Sequence, residues 1–333
     1  MPQRRGALPI SDAEVLGCPD TFARGIPYDR LERLRGRTPV VWLDGRLADR
    51  PGAWAVLRYE DVRHALRHPE LFSPDHEGVL HGPMPGDDPQ GDARSGPSDG
   101  LRDRPRDGPA DGTSGDEPAW IDMDPSAGAM LDRMPDGAAV DFVADVVRDL
   151  PAMLRDTLAG GVHALIRHPV QYERLRERRS DDGLLDSAVE EMLRWWTPVM
   201  QVWRTMRRGT VIGGVPLLAG EQVTLWLASA NHDEEVFPEP ARFLPDRFRT
   251  LPASSRPPRF GRHRQREQRV RPHLCFGYGD RACLGARLAR VHLRALLVAL
   301  LDRPGCVRPA GEPVMLRSNA RHGFQRLPIR WSG

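Results

Sequence analysis

Cys283 is the residue with the most chemistry to offer. It lies in the run Phe276-Gly277-Tyr278-Gly279-Asp280-Arg281-Ala282-Cys283-Leu284-Gly285. Three glycines in ten residues beside an aromatic side chain point to a tight backbone loop that approaches something flat or bulky. A long apolar helix pattern, Arg287 to Leu301, follows directly. A cysteine just ahead of a helix faces unpaired N–H groups and the positive end of the helix dipole. Both favour thiolate, the form that ligates metals. The plainer alternative is a buried structural cysteine in a glycine-rich turn. Upstream, Glu191 and Arg194 stand three residues apart and so share one helical face. Taken alone, such a pair is common on any surface helix.

The elements that must position these residues can be read from the patterns around them. Tyr28 to Leu34 has helical spacing. Val40 to Leu43 and Trp54 to Leu57 read as two strands of a hairpin, and Glu60 to Leu66 as a short helix. Phe142 to Leu150 carries apolar helical spacing. Thr157 to Ile166 reads as a helix that Pro169 cannot continue, and Leu184 to Trp196 as another that Thr197-Pro198 ends. Val211 to Leu227 alternates around Gly213-Gly214 and Ala219-Gly220, which suits short strands. Trp195, Trp196, Trp226 and Cys275 are expected to fill the core. No internal repeat is visible.

Composition excludes several classes. Net charge is only +2 over 333 residues, with 28% charged and 40% hydrophobic residues, so no global field selects a nucleic acid or a membrane. All 48 basic residues are arginine. The longest clean apolar run, Ala295 to Leu301, is far short of the ~20 residues a membrane-spanning helix needs. The N-terminal residues hold no apolar signal core, which makes a soluble, cytoplasmic protein the default. Cys18, Cys275, Cys283 and Cys306 match no zinc spacing and are too few for a disulfide scaffold. Gly82 to Pro118 contains 8 Gly, 7 Pro and 8 Asp among 37 residues. It cannot bury enough surface to offset its ordering entropy, so residues 77–118 read as a disordered insertion. Residues 256–271 hold seven arginines and one acid; a solvated loop is the simpler reading, a basic patch for an acidic partner or nucleic acid the other.

The run from Phe276 to Arg290 resembles the haem-binding loop of the cytochrome P450 family, F-G-x-G-x-(H/R)-x-C-x-G followed by a helix opening x-x-L-A-R. Every fixed position of that pattern is present. Glu191 and Arg194 match the family's E-x-x-R helix, and the stretch that follows, through Asn231 to Phe248, is similar to the family's as well. The resemblance covers about residues 18–76, 119–125 and 138–331. It implies a mainly α fold with a small β region and distal helices partly missing. Residues 1–76 would be the hairpin and helix part of the haem domain, and residues 119–333 its helical part, with the arginine-rich loop at 256–271. It further implies haem b as cofactor, with Cys283 as axial thiolate on the iron. Arg281 and Arg204 would meet the propionates, and Phe276, Gly277 and Gly279 would lie beside the ring. Glu191, Arg194 and Arg247 would form a structural cluster under the haem. The activity implied is insertion of one oxygen atom into an apolar small molecule (a lipid, a steroid or a secondary metabolite), with a ferredoxin-type electron donor and neither membrane nor nucleic acid as partner.

Two stretches depart from the pattern. Beyond Met123-Asp124-Pro125 the family has a His and then an Arg, where this chain holds Gly128 and Asp132. The family's oxygen-activating acid–threonine pair falls on Ala152 and Met153. Asp156 and Thr157 form a similar pair four residues later, about one helical turn or ~6 Å along the axis. They are catalytic candidates only if the helix slides by that turn. Only 31 residues separate Pro125 from Thr157, where the resemblance implies several helices. A degenerate, non-catalytic member that binds haem or only a partner protein therefore stands as the alternative.

Overall fold

The computed structural model describes residues 16–44, 52–74, 127–249 and 271–333. The insertion at 77–118 and all but the last residue of the arginine-rich stretch lie outside them. In chain order the elements are α1 (Pro19–Phe22), α2 (Tyr28–Arg37), β1 (Val40–Leu43), β2 (Ala53–Val56), α3 (Tyr59–Arg67), β3 (Phe72–Ser73), α4 (Ala127–Asp132) and β4 (Ala139–Asp141). After a π turn (Phe142–Val146) come α5 (Ala152–Arg167), α6 (Pro169–Glu177), α7 (Asp182–Trp196), β5 (Gln201–Met206), β6 (Thr210–Ile212), β7 (Val215–Leu217), β8 (Gln222–Trp226) and α8 (Leu227–Ala230). A 3-10 turn (Gly279–Arg281) precedes α9 (Ala286–Asp302), β9 (Cys306–Pro309), β10 (Val314–Met315), β11 (Phe324–Arg326) and β12 (Pro328–Ser332).

Helices α5, α7 and α9 pack on one another because each carries a continuous apolar face. The α7 face is Leu184, Leu185, Ala188, Val189, Met192 and Leu193; that of α9 is Leu293, Leu296, Leu297, Leu300 and Leu301, all buried. Each such side chain contributes roughly 1.5–3 kcal/mol on burial. Gly160 and Gly161 set how closely α5 approaches. A Cβ on Gly160 would overlap the Trp196 ring, and one on Gly161 would lie 2.6 Å from Leu293 Cδ1. Asp181 starts α7 by accepting the Leu184 amide at 3.1 Å. Thr197 ends it in the left-handed region at φ 49°, with Pro198 following.

A five-stranded sheet, ordered β1-β2-β8-β5-β3, covers a second core; β2 and β8 run parallel and the other pairs antiparallel. Val40, Val56, Tyr59, Val62, Phe72, Val223 and Leu225 fill that core, which places α3 against the sheet. A three-stranded sheet, β4-β12-β9, closes the helical core at the chain's C-terminal end.

The fold is mainly helical with small sheets, and the hairpin and helices α2, α3, α7 and α9 fall where the patterns put them, while α5 starts five residues before its expected Thr157, at Ala152 behind Pro151. Two other spans are corrected. Phe142 to Leu150 is not a continuous helix: Asp141 caps a five-residue π turn, accepting from Val143 and Ala144, and the chain leaves the helix at Val147. The strand reading of Val211 to Leu227 stops at Trp226, because Leu227 opens α8. Trp226 and Trp196 are buried, as is Cys275, while Trp195 is only half-buried. Among the described residues no helix is long and apolar enough to cross a membrane.

Candidate functional site

The loop from Pro272 to Gly285 turns back on itself before α9. Gly277 and Gly279 adopt φ of +76° and +79°, a region that other residues reach only with strain. Gly277 N–H donates to the Leu274 carbonyl at 2.9 Å, Ala282 N–H to Gly279 at 3.1 Å, and Cys283 N–H to Phe276 at 2.8 Å. These three bonds fold residues 276–283 into one rigid bend. Gly285 then caps α9, so Cys283 sits three residues ahead of the first residue of a 17-residue helix. Its thiol is free and exposed, and the neighbouring Leu284 side chain is 97% exposed. A soft sulfur donor and an uncovered apolar side chain on one turn suit a flat, largely apolar group that carries a metal. Arg281 is exposed on the same bend. Phe276 is half-buried, with the Arg290 guanidinium 4.7 Å from its ring centroid. Among the described residues no three His, Cys, Asp or Glu side chains gather as a separate metal site.

Behind the loop lies a fully enclosed cluster. Glu191 and Arg194 of α7 have no solvent exposure, and Arg247 is 7% exposed. Arg194 donates from Nε and Nη2 to the Glu191 carboxylate at 2.7 and 2.9 Å, and Arg247 Nε reaches the same two oxygens at 3.0 and 3.1 Å. Further guanidinium hydrogens go to carbonyls: Arg194 to Asn231 and Arg242, Arg247 to Pro238, Glu239 and Arg242. Leu244 N–H adds a further bond to Glu191 at 2.9 Å. Burial, and then the Arg194 charge, hold the Arg247 pKa below its ordinary value, against the pull of Glu191. One carboxylate thus serves two arginines, and all three depend on one another.

Sequence reasoning did not single out the groups that join this cluster to the loop. Asn231 accepts the Leu274 amide at 2.7 Å and donates to Thr197 Oγ1 at 3.0 Å and Cys275 Sγ at 3.1 Å. Glu190, next to the motif's Glu191, meets Arg290 at 2.5 and 2.9 Å and His273 Nε2 at 3.0 Å. Burial works against ionised Glu190, but hydrogen bonds from His273 and Arg290 outweigh it and hold its pKa at about 2. The doubled glutamate in Glu190-Glu191 was the available signal for this second tie.

Two other sites stand apart from the loop's own bonds. Arg204 lies in β5, opposite Val223, and donates to the Trp203 carbonyl at 2.6 Å. In α5, Asp156 is buried and paired with Arg321 at 3.0 and 3.2 Å, while the Thr157 hydroxyl donates to the Met153 carbonyl at 2.8 Å. Gly128 lies in the first turn of α4 and Asp132 ends it.

Comparison with known proteins gives a consistent picture. A family model described as Cytochrome P450 matches residues 162–304. The chain is 37% identical over 177 residues to a steroid C26-monooxygenase of Mycolicibacterium smegmatis, covering 53% of this chain and 38% of that one. It is also 37% identical over 180 residues to a methyl-branched lipid omega-hydroxylase of Mycobacterium tuberculosis, covering 54% of this chain and 36% of that one. The matched segments thus span well under half the length of these relatives. Among solved structures, cytochrome P450-153 from Novosphingobium aromaticivorans superposes with a TM-score of 0.69 at 22% identity, over 96% of this chain and 99% of that one.

Proposed function

We propose that this chain, which belongs to the cytochrome P450 family, is a haem-thiolate monooxygenase acting on an apolar small molecule. The observation that carries the reading is the exposed Cys283 thiol on a glycine-built bend at the start of α9, braced from behind by Glu191, Arg194 and Arg247. Cys283 would hold the iron of haem b through its sulfur. Arg281 and Arg204 would hold the propionates, with Phe276, Gly277 and Gly279 against the ring. Once bound, the haem would supply dioxygen activation, which ligation by the Cys283 sulfur would promote.

The protein's own groups do the positioning. The bend's three backbone hydrogen bonds fix where the Cys283 sulfur stands, just ahead of α9. Phe276 and Leu284 would offer apolar surface to the bound ring. Thr157 and Asp156 are the candidates for carrying protons. Asp156 would first have to leave Arg321, whose guanidinium holds its Oδ2 at 3.0 Å. Relatives named as a steroid monooxygenase and a lipid hydroxylase support an apolar substrate class, lipid, steroid or secondary metabolite. A ferredoxin-type donor would supply the electrons.

The Asp156–Arg321 pair also favours a second reading: a member that binds haem without completing oxygen insertion. Hemin titration followed by reduction under carbon monoxide tests the first part of the proposal. Uptake of one equivalent with a thiolate-type carbonyl band is expected, and absence of uptake overturns both readings. Oxygen consumption with a supplied ferredoxin system separates them. Product formation supports the monooxygenase, and peroxide alone supports the degenerate form.

A further inference from the structure

Helix α3 packs against the 3-10 turn of the cysteine bend. Its contacts with the loop repeat along one helical face. The Tyr59 hydroxyl donates to the Pro272 carbonyl at 2.7 Å, and Glu60 pairs with Arg271 at 3.1 Å. One turn later, Arg63 donates from Nη2 to the Tyr278 hydroxyl at 3.0 Å while its guanidinium carbon sits 4.7 Å from the centre of that ring. A Cβ on Gly279 would lie 3.6 Å from the Arg67 Cα and 3.8 Å from the Leu66 carbonyl oxygen, so the helix and the bend meet backbone to backbone. These contacts matter because residues 279–285 are exposed, and among the described residues no core side chain covers them. Glu190, Arg290 and Asn231 anchor its root at His273, Leu274 and Phe276. Its tip, from Gly277 to Cys283, leans on α3.

We propose that Arg63 is a positioning residue for the Cys283 sulfur, acting through Tyr278 to hold the tip of the bend against α3. A guanidinium can hydrogen-bond the hydroxyl and cover the ring face of one tyrosine at the same time. That fixes Tyr278 in both direction and distance, and Tyr278 lies between the two glycines that set the bend's path. Consistent with this, the hydrogen bond from Arg63 holds the Tyr278 hydroxyl below its usual pKa. The consequence for the iron rests on Cys283 being its ligand; the mechanical part does not.

The test uses the full chain, wild type beside Arg63→Ala, Arg63→Lys, Tyr278→Phe and the remote surface control Arg33→Ala. Without haem, amide exchange at Gly277, Ala282 and Cys283 is expected to quicken about tenfold in Arg63→Ala, with α9 unchanged. With haem, the same variant is expected to move carbonyl absorbance from the thiolate-type to the thiol-type band. Tyr278→Phe keeps the ring and loses the hydroxyl, and Arg63→Lys keeps the charge and loses the planar stack, so both should fall between. Tyr278→Phe removes only one hydroxyl and keeps the ring, so it reports even where Arg63→Ala does not fold. Unchanged exchange in Arg63→Ala and Tyr278→Phe overturns the positioning role. A wild type that binds haem without a thiolate-type band instead overturns the Cys283 assignment, and the exchange data still decide the role of Arg63.

Discussion

The floor behind the cysteine and the Asp156 turn of α5 are both buried and both built on ion pairs, but they differ in how the pair is made. Glu191 and Arg194 meet within one helix, and Arg247 joins them through Nε while its Nη atoms donate to the Pro238, Glu239 and Arg242 carbonyls. Asp156 finds its partner Arg321 far along the chain, in a space that exists only because Gly323 has no side chain. The first pair braces a site from behind. The second locks a carboxylate that would have to move before it could carry a proton. A buried acid is therefore not evidence of chemistry until its partners are known.

The largest expected effect breaks the floor. Glu191→Ala leaves Arg194 and Arg247 buried without a counter-charge, and urea unfolding should show a loss of about 3–5 kcal/mol, or no folded protein at all. A loss below about 1 kcal/mol would mean that the arginines relax to solvent and that the cluster is not a brace.

The second effect is a pH dependence around α5. Burial holds His322 and His163 down to about 4 each, so both are neutral in the folded protein near pH 7. A lowered histidine pKa makes the unfolded chain the better proton acceptor. The stability is therefore fully present above about 6.5 and is lost as pH falls from there through about 4. For His322 the shift is worth about 3 kcal/mol. Unfolding curves for wild type and His322→Asn should converge on acidification across that window. Curves that stay parallel would show that His322 is not neutral in the fold.

Smaller changes sharpen the contrast at α5. Gly323→Ala drives a methyl group into the Asp156 carboxylate and should cost about 1–3 kcal/mol, with Arg321→Ala partly relieving it in the double variant. Additive losses would mean the ion pair is not what fills that space. Thr157→Val removes only the hydroxyl that bonds Met153, and a thermal scan should register less than about 1 kcal/mol.

Much of the floor and the bend could be read from the residues in order, because their geometry is local. Glycines at 277 and 279 imply positive φ, a three-residue spacing implies a shared helical face, and leucines at helical spacing imply α9. What could not be read depends on partners distant in sequence. Nothing near Asp156 announces Arg321, nothing near Tyr278 announces Arg63, and the role of Asn231 as the tie between α7 and the loop needs three separate segments brought together. The π turn at Phe142 escaped for a related reason: its apolar spacing is helical, but Asp141 and Asp145 bond the local backbone and stop propagation.

The most direct measurement is the reduced carbonyl spectrum of hemin-loaded protein carrying Cys283→Ser or Cys275→Ser. The two cysteines lie eight residues apart, one exposed on the bend and the other buried against Asn231 and the Leu193 carbonyl. The thiolate-type band should vanish with Cys283→Ser and survive with Cys275→Ser; a band that survives Cys283→Ser would contradict the assignment of the iron ligand.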